Sequence, residues 1–573
     1  LSSTTREGFS KNIVTGQDLD DANNKSFRTD WMFDLNDTSS LRVFGQYFKV
    51  DRNGAAIRGI DDQTSGMRKL SQDTVSQHEL SSMVVAAIYE SDLGFANLKA
   101  IASIQEDDIL VVRDNDRHNY LDPVLAIPGL GAGATYQRAE FTPETSLVDT
   151  KTLEINLISN EPLEGRLDWT VGLFYMDHEI ENHIRGYRDD DFDGVIKYLC
   201  GETFADPSYC YDHDYEFPGS FAIFGPDAEV DFFTDSFPGR ESFSLYGQGT
   251  LNISETLRVI SGLRYSRDTF STDVTNFLNV ESFQEEGTTD EITSRVVAEF
   301  DISDDVMLYV GIARGFKPGG SNLTFGFDDD NAPPMVFPTF DSETVESVEL
   351  GLKSTFADGR ARANLAAFSY VYENLQFQAT DPDIYRGGVA NIPESEMSGL
   401  EIEFTGFLSD SFSIDMSLAF LNSEVTSDYE VLDNVDAYPY FFGEEDIRYG
   451  LRENVKGNSL AKTPEITADI SLKYETNLSS GRSLQTILQF IKRGDFQQRV
   501  SNNPIVDYVR DYQIGNMITT LGVSESLSVD FMLLNITDEV GVNSSMTDVF
   551  GVAATGLELI PPRQAMTRLR YKF

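Results

Sequence analysis

The sequence predicts an all-β fold, a transmembrane antiparallel β-barrel with about nineteen strands in this chain. Three observations carry that expectation. Apolar and polar residues alternate with period two over stretches of about ten residues, which is the period of a strand and not of a helix. Short turn-like connections alternate with long polar ones, as in barrels that keep turns on one side of a membrane and loops on the other. No apolar run approaches the length of a membrane helix, so any crossing must be made by strands.

The alternation places strands near 25–34, 41–50, 78–90, 95–107, 147–158, 166–180, 241–252, 257–269, 289–301, 306–316, 343–356, 360–374, 396–407, 412–427, 463–477, 483–495, 512–523, 527–536 and 563–573. Phe243, Leu245 and Leu251 share one face, while Ser244, Tyr246, Gln248 and Asn252 share the other. The same division sets Leu400, Ile402 and Phe404 against Glu401, Glu403 and Thr405. A second face this polar does not suit a soluble sandwich core; it suits a wet lumen with lipid outside. Asn36-Asp37-Thr38-Ser39, Ser91-Asp92-Leu93-Gly94, Ala357-Asp358-Gly359 and Ser479-Ser480-Gly481 have turn chemistry and fall between paired strands. The last strand ends Arg568-Leu569-Arg570-Tyr571-Lys572-Phe573, with Leu569, Tyr571 and Phe573 on its greasy face. Single-chain barrels have even strand numbers, so an odd count implies a chain that begins partway round the wall. In a 22-stranded ring of the transporter type, Leu1–Ser3 end the third strand.

Composition narrows the function. Mean hydropathy of −0.27 reads as soluble, but alternating strands halve their own hydropathy signal. Ninety-four acidic against 44 basic residues give a formal net charge of −50, which excludes nucleic acid as a partner. The acid itself fits solvated loops or a surface that collects divalent cations. Leu1-Ser2-Ser3-Thr4-Thr5 has neither the basic start nor the apolar core of a signal peptide. There is no G-x-S-x-G elbow and no phosphate-binding glycine loop before a helix, so no catalytic constellation emerges and no enzyme is expected.

The connection over 181–240 carries the most chemistry. Asp189, Asp191, Asp193 and Gly194 fit the opening of a calcium loop, but Cys200 stands where a bidentate Glu should close it. The stretch is thus either a calcium site or a solvated acidic loop. Cys200 and Cys210, the only cysteines, point to a local disulfide in an oxidising compartment. Tyr209, Tyr211, Tyr215 and Phe217 offer either stacking faces for a ligand or the means of packing the loop on itself. His178 and His183 lie five apart on a strand, so they face opposite sides and do not converge on one metal. Asn502-Asn503-Pro504 reads as turn chemistry.

Several segments together resemble the barrel of TonB-dependent outer-membrane receptors. They are Arg6-Glu7-Gly8-Phe9, Gly262-Leu263-Arg264-Tyr265, Ala313-Arg314-Gly315-Phe316-Lys317-Pro318-Gly319-Gly320, Glu349-Leu350-Gly351-Leu352-Lys353, Ser398-Gly399-Leu400-Glu401-Ile402-Glu403, Asn535-Ile536-Thr537-Asp538-Glu539, and Pro562-Arg563 leading to Phe573. Their order and spacing cover the whole chain. The resemblance implies an active importer in the outer membrane of a Gram-negative bacterium. It implies a small-molecule ligand, with ferric siderophores the commonest class and oligosaccharides, cobalamin, haem or plant-derived molecules the alternatives. It also implies TonB and its inner-membrane energy-transducing complex as partners, acting on an N-terminal plug that this chain does not include. Outer-membrane lipid and lipopolysaccharide surround such a barrel, and the barrel-assembly machinery reads a terminal strand like Leu569, Tyr571 and Phe573. No cofactor is required beyond the possible calcium. A passive porin without a plug and a soluble all-β module remain the competing expectations.

Overall fold

The protein is described by a computed structural model covering residues 1–115, 117, 119, 139–189, 229–276, 279–326, 334–382, 386–437, 451–548 and 554–572. Twenty strands form one sheet. Their registers run antiparallel from each strand to the next, beginning with Ser2–Arg6 against Ala22–Asn36 and ending with Leu527–Leu534 against Gln564–Tyr571. All nineteen predicted strands are present. The twentieth is Ser2–Arg6, which extends the strand end expected at Leu1–Ser3.

Several strands outrun their predicted limits, mainly on the long-loop side. The segment predicted over 147–158 is Ala139–Ser159, 241–252 is Glu229–Asn252, and 289–301 is Asn279–Ser303. The cause is visible in the registers. Leu153, Tyr175 and Phe243 form one outward row, and the next outward row is Lys151, Asp177 and Glu241. An apolar outer face is needed only in lipid, whereas the backbone ladder pairs strand to strand whatever the side chains face. Alternation stops at the membrane boundary and the strand does not.

The outer face below that boundary is greasy. Trp31, Leu245 and Leu263 each expose more than half of their surface, at 58%, 58% and 59%. Left in water, a continuous apolar belt of this kind would drive association; in a bilayer it is solvated by acyl chains. The inner face carries the charge. Arg258 donates to Glu299 at 3.0 Å and to Asp301 at 2.6 Å, and Asp530 accepts from Arg568 and Arg570, both at 2.7 Å. The basic side of the last strand thus faces the lumen, anchored on a fully buried carboxylate.

The local sequence motifs have physical roles in the wall. Glu349, Gly351 and Lys353 alternate inward around Tyr309. The Tyr309 hydroxyl donates to Glu349 at 2.5 Å, Gly351 is the register partner of Tyr309, and the Lys353 ammonium stands 5.5 Å from the ring centre. A side chain at position 351 would occupy the space of the Tyr309 ring. Phe368 covers Gly399 in the same way. Gly351→Val should therefore tip Tyr309 off the wall at a cost of about 1–3 kcal/mol for overpacking. Gel mobility of the folded barrel against temperature measures this, and an unchanged midpoint would refute it.

Candidate functional site

Among the described residues the largest apolar cluster lies at the loop end of the wall. Ile392 and Val425 come from the loop-side ends of the wall strands Gly387–Phe407 and Phe412–Val425, and Val431, Val435, Val455 and Val506 from long connections; together they bury one another. Each connection first folds on itself. Glu430–Val431 pairs with Glu453–Asn454, and Phe496–Gln497 pairs with Tyr508–Val509. In the last connection, Val542–Thr547 pairs with Thr555–Leu559, whose other edge takes Ile57–Gly59 from an early connection. That three-stranded sheet joins segments some 500 residues apart in sequence. Arg68 and Arg117 reinforce it by donating to the carbonyls of Ile560 and Ala554, each at 2.7 Å.

A buried ionic knot holds two of these connections together. The Arg499 guanidinium donates to Asp507 at 2.6 Å, to Asn434 at 2.8 Å and to Asp433 at 3.0 Å. Asn503 donates to the second oxygen of Asp433 at 2.7 Å, and Asn434 donates to the carbonyl of Asp548, which brings in the last connection. Asp507 has no exposed surface. Burial works against a charge on Arg499, but the two carboxylates outweigh it and raise its pKa. Burial likewise pushes the Asp507 carboxyl up, with Arg499 partly offsetting this and Asp433 adding to it. Nearby Asp436 is raised by burial and then by Asp433 and Glu453.

A carboxyl whose folded pKa lies above its unfolded value binds its proton more readily in the folded state. Its contribution is complete below the ordinary carboxylate pKa and is lost as pH rises through the raised value. The loops should be better protected from hydrogen exchange at mildly acidic than at neutral pH, after correction for intrinsic rates, and Asp507→Asn should flatten the difference. Protection that instead falls on acidification would count against the assignment.

Beneath the loops the lumen wall is polar. Two adjoining crevices of about 340 and 360 Å³ share Arg362 and Asn364. Glu403, Asp415 and Asp469 line one, and Asp301, Asp304 and Asp305 line the other. Elsewhere on the lumen face, Tyr246 donates to Glu154 at 2.8 Å while Arg264 lies 5.2 Å from its ring. Such a lining can hold water, polar solutes or a polar protein segment. Among the described residues, no group of three or more His, Cys, Asp or Glu could hold a metal ion.

His178 and His183 do face opposite ways. His178 meets Thr150 at 2.8 Å on the lumen side, while His183 meets Asp235 at 2.6 Å on the outer side. Leu569 and Tyr571 point outward, 68% and 57% exposed. Asp189 ends the strand Leu167–Asp189, with its side chain outside the described residues. Asp191, Asp193, Cys200, Tyr209, Cys210, Tyr211, Tyr215, Phe217 and Phe573 also lie outside them. Sequence reasoning missed the Arg499 knot altogether. Its one faint signal was Asn502-Asn503-Pro504: Asn502 does adopt a turn φ of 53°, and Asn503 beside it serves the knot.

A family profile described as TonB dependent receptor-like, beta-barrel, matches residues 3–536. The chain belongs to this family. Its wall is that of an outer-membrane TonB-dependent receptor barrel. The pesticin receptor of Yersinia pestis is 25% identical over 195 residues, which are 33% of this chain and 27% of that protein. The probable TonB-dependent siderophore receptor PiuA of Acinetobacter baumannii is 27% identical over 189 residues, 32% of this chain and 24% of the relative. The receptor barrel thus spans about a quarter of the length of the curated relatives it matches. Among solved structures, the ferric yersiniabactin uptake receptor FyuA of Yersinia pestis superposes with a TM-score of 0.73 at 14% identity, covering 100% of this chain and 74% of that one. The siderophore receptor PiuA of Acinetobacter baumannii follows at 0.69 and 16%, covering 96% and 74%. At such identities the superposition establishes the fold.

Proposed function

We propose that this barrel belongs to an energy-coupled importer of a ferric siderophore, working with TonB through an N-terminal plug. The observation that supports it most is family membership across nearly the whole chain, joined to similarity to PiuA, whose name specifies a siderophore receptor. The vestibule fits that role: long connections tied into a shared core present a shaped mouth above a polar lumen. The test is uptake of iron-loaded siderophores by cells carrying the full-length gene, with and without a working energy-transducing complex. Energy-dependent uptake of one siderophore class is expected. Uptake that persists without energy coupling would identify a passive porin instead.

Assembly supplies a second test. Leu569 and Tyr571 present the outward row of the last strand, and Phe573 continues it in sequence. Phe573→Ala should lower the amount of receptor at the surface while leaving ligand affinity of the inserted fraction unchanged. Normal surface levels with lost binding would argue against an assembly role.

A further inference from the structure

Two lysines stand directly opposite each other on the outer face, in register between adjacent strands: Lys25 on Ala22–Asn36 and Lys49 on Ser39–Arg52. Like charges in opposed positions are destabilising unless something neutralises them. Both side chains are exposed, and no ion pair among the described residues includes either one. The row continues across the wall with Ser3 on one side and Ser81 on the other. Four donor-bearing side chains, two of them cationic, therefore line up on strands about 4.8 Å apart.

Their height is informative. The row immediately below is Phe27, Tyr47 and Met83, exposed by 54%, 44% and 44%, and below that come Val85 and Trp31. Lys25 lies eleven residues from Asn36 at the short turn. At a strand rise of about 3.4 Å and a tilt near 45°, that is about 26 Å, the height of the apolar band of a barrel. The pair sits at the headgroup level of the outer leaflet, immediately above an aromatic girdle.

The charge around the pair is acidic. Asp51 lies two residues further along on the same face and opposite Glu79, while Glu106 and Asp108 occupy outward positions two strands from Lys49. Further round, the boundary carries Asp149, Asp177 and Glu241. Lys151, the basic residue there, is already matched with Asp177 at 3.5 Å.

We propose that Lys25 and Lys49, flanked by the Ser3 and Ser81 hydroxyls, form a binding site for the phosphate of an outer-leaflet lipid headgroup. Two ammonium groups neutralise a phosphate group, the hydroxyls donate to its remaining oxygens, and the acyl chains lie along Phe27, Tyr47 and Met83. The acidic boundary beyond confines the bound headgroup to this point. This site depends on the membrane orientation of the wall and not on what the barrel imports.

The test uses the full-length protein in neutral detergent, titrated with a diphosphorylated disaccharide lipid and followed by native mass spectrometry. Wild type should retain the lipid, and Lys25→Gln/Lys49→Gln should bind it about tenfold or more weakly, given the attraction of each lysine to an anionic membrane surface. Lys151→Gln should bind as wild type does. Both variants should keep the heat-resistant gel mobility of the folded barrel. Equal binding by the double variant, or equal binding of the dephosphorylated lipid to wild type, would overturn the proposal. Displacement of the lipid by inorganic phosphate at the same concentration would show that the pair reads free phosphate and would overturn the lipid source.

Discussion

Arg499→Ala is expected to loosen the mouth of the barrel while leaving its wall intact. The substitution removes the cation between two buried carboxylates, Asp433 and Asp507, and strips Asn434 of its donor. Breaking a buried ionic group by removing one partner costs about 3–5 kcal/mol, because the charge left behind has no solvent. That is enough to open a local unit whose own core is a handful of aliphatic side chains. The readout is hydrogen exchange or limited proteolysis of 425–466 and 493–512 beside heat resistance of the barrel. Fast exchange in those loops with unchanged barrel stability is expected. Adding Asp433→Asn and Asp507→Asn to Arg499→Met should restore much of the protection, since a neutral group can be buried without a counter-ion. If the single variant exchanges as wild type does, the knot is not what holds the vestibule. If proposed uptake depends on the shaped mouth, it should fall in step with the exchange.

Leu263→Arg should impair membrane insertion far more than an arginine placed on the opposite face of the same wall. Leu263 is 59% exposed, opposes Gly247, and lies six residues above Leu257 at the turn, about 14 Å up a lipid-facing band about 25 Å tall. A cation on the lipid face costs about 2–4 kcal/mol at the bilayer midplane. Thr293, the register partner of Arg264, faces the polar lumen, and Thr293→Arg should be nearly neutral. Comparing the folded, surface-exposed fraction of the two variants tests the assignment of faces. Equal losses would mean that neither face meets lipid, and a greater loss for Thr293→Arg would mean that inside and outside have been exchanged.

The wall was legible because one rule governs it. Lipid outside and water inside demand opposite chemistry on successive residues, so each strand announces itself within about ten residues. Even the start of each strand on the turn side falls within a few residues of the expected position, as with Leu257 and Val306. The long-loop ends were not legible, because beyond the row of Lys151, Asp177 and Glu241 both faces meet water and no alternation remains. The motif glycines were visible as letters but not as reasons. Gly351 and Gly399 matter because of rings that reach across from other strands, Tyr309 and Phe368. Asp538 was read as part of a late motif, but only the fold shows its carboxylate accepting the backbone N–H of Arg563 at 2.9 Å and closing the base of the last connection.

By itself the sequence determined the class of fold, the count and order of the strands, which face meets lipid, and the family. These follow from side-chain periodicity and short-range motifs, which are local and repeat along the chain. Only the tertiary structure decided how the long connections meet. It placed Ile57–Gly59 beside Gly556–Glu558, closed Arg499 on Asp433, and set Lys25 opposite Lys49. Those pairings are set by register and by the packing of distant segments, and a charge that looks solvated in one dimension becomes buried or opposed in three.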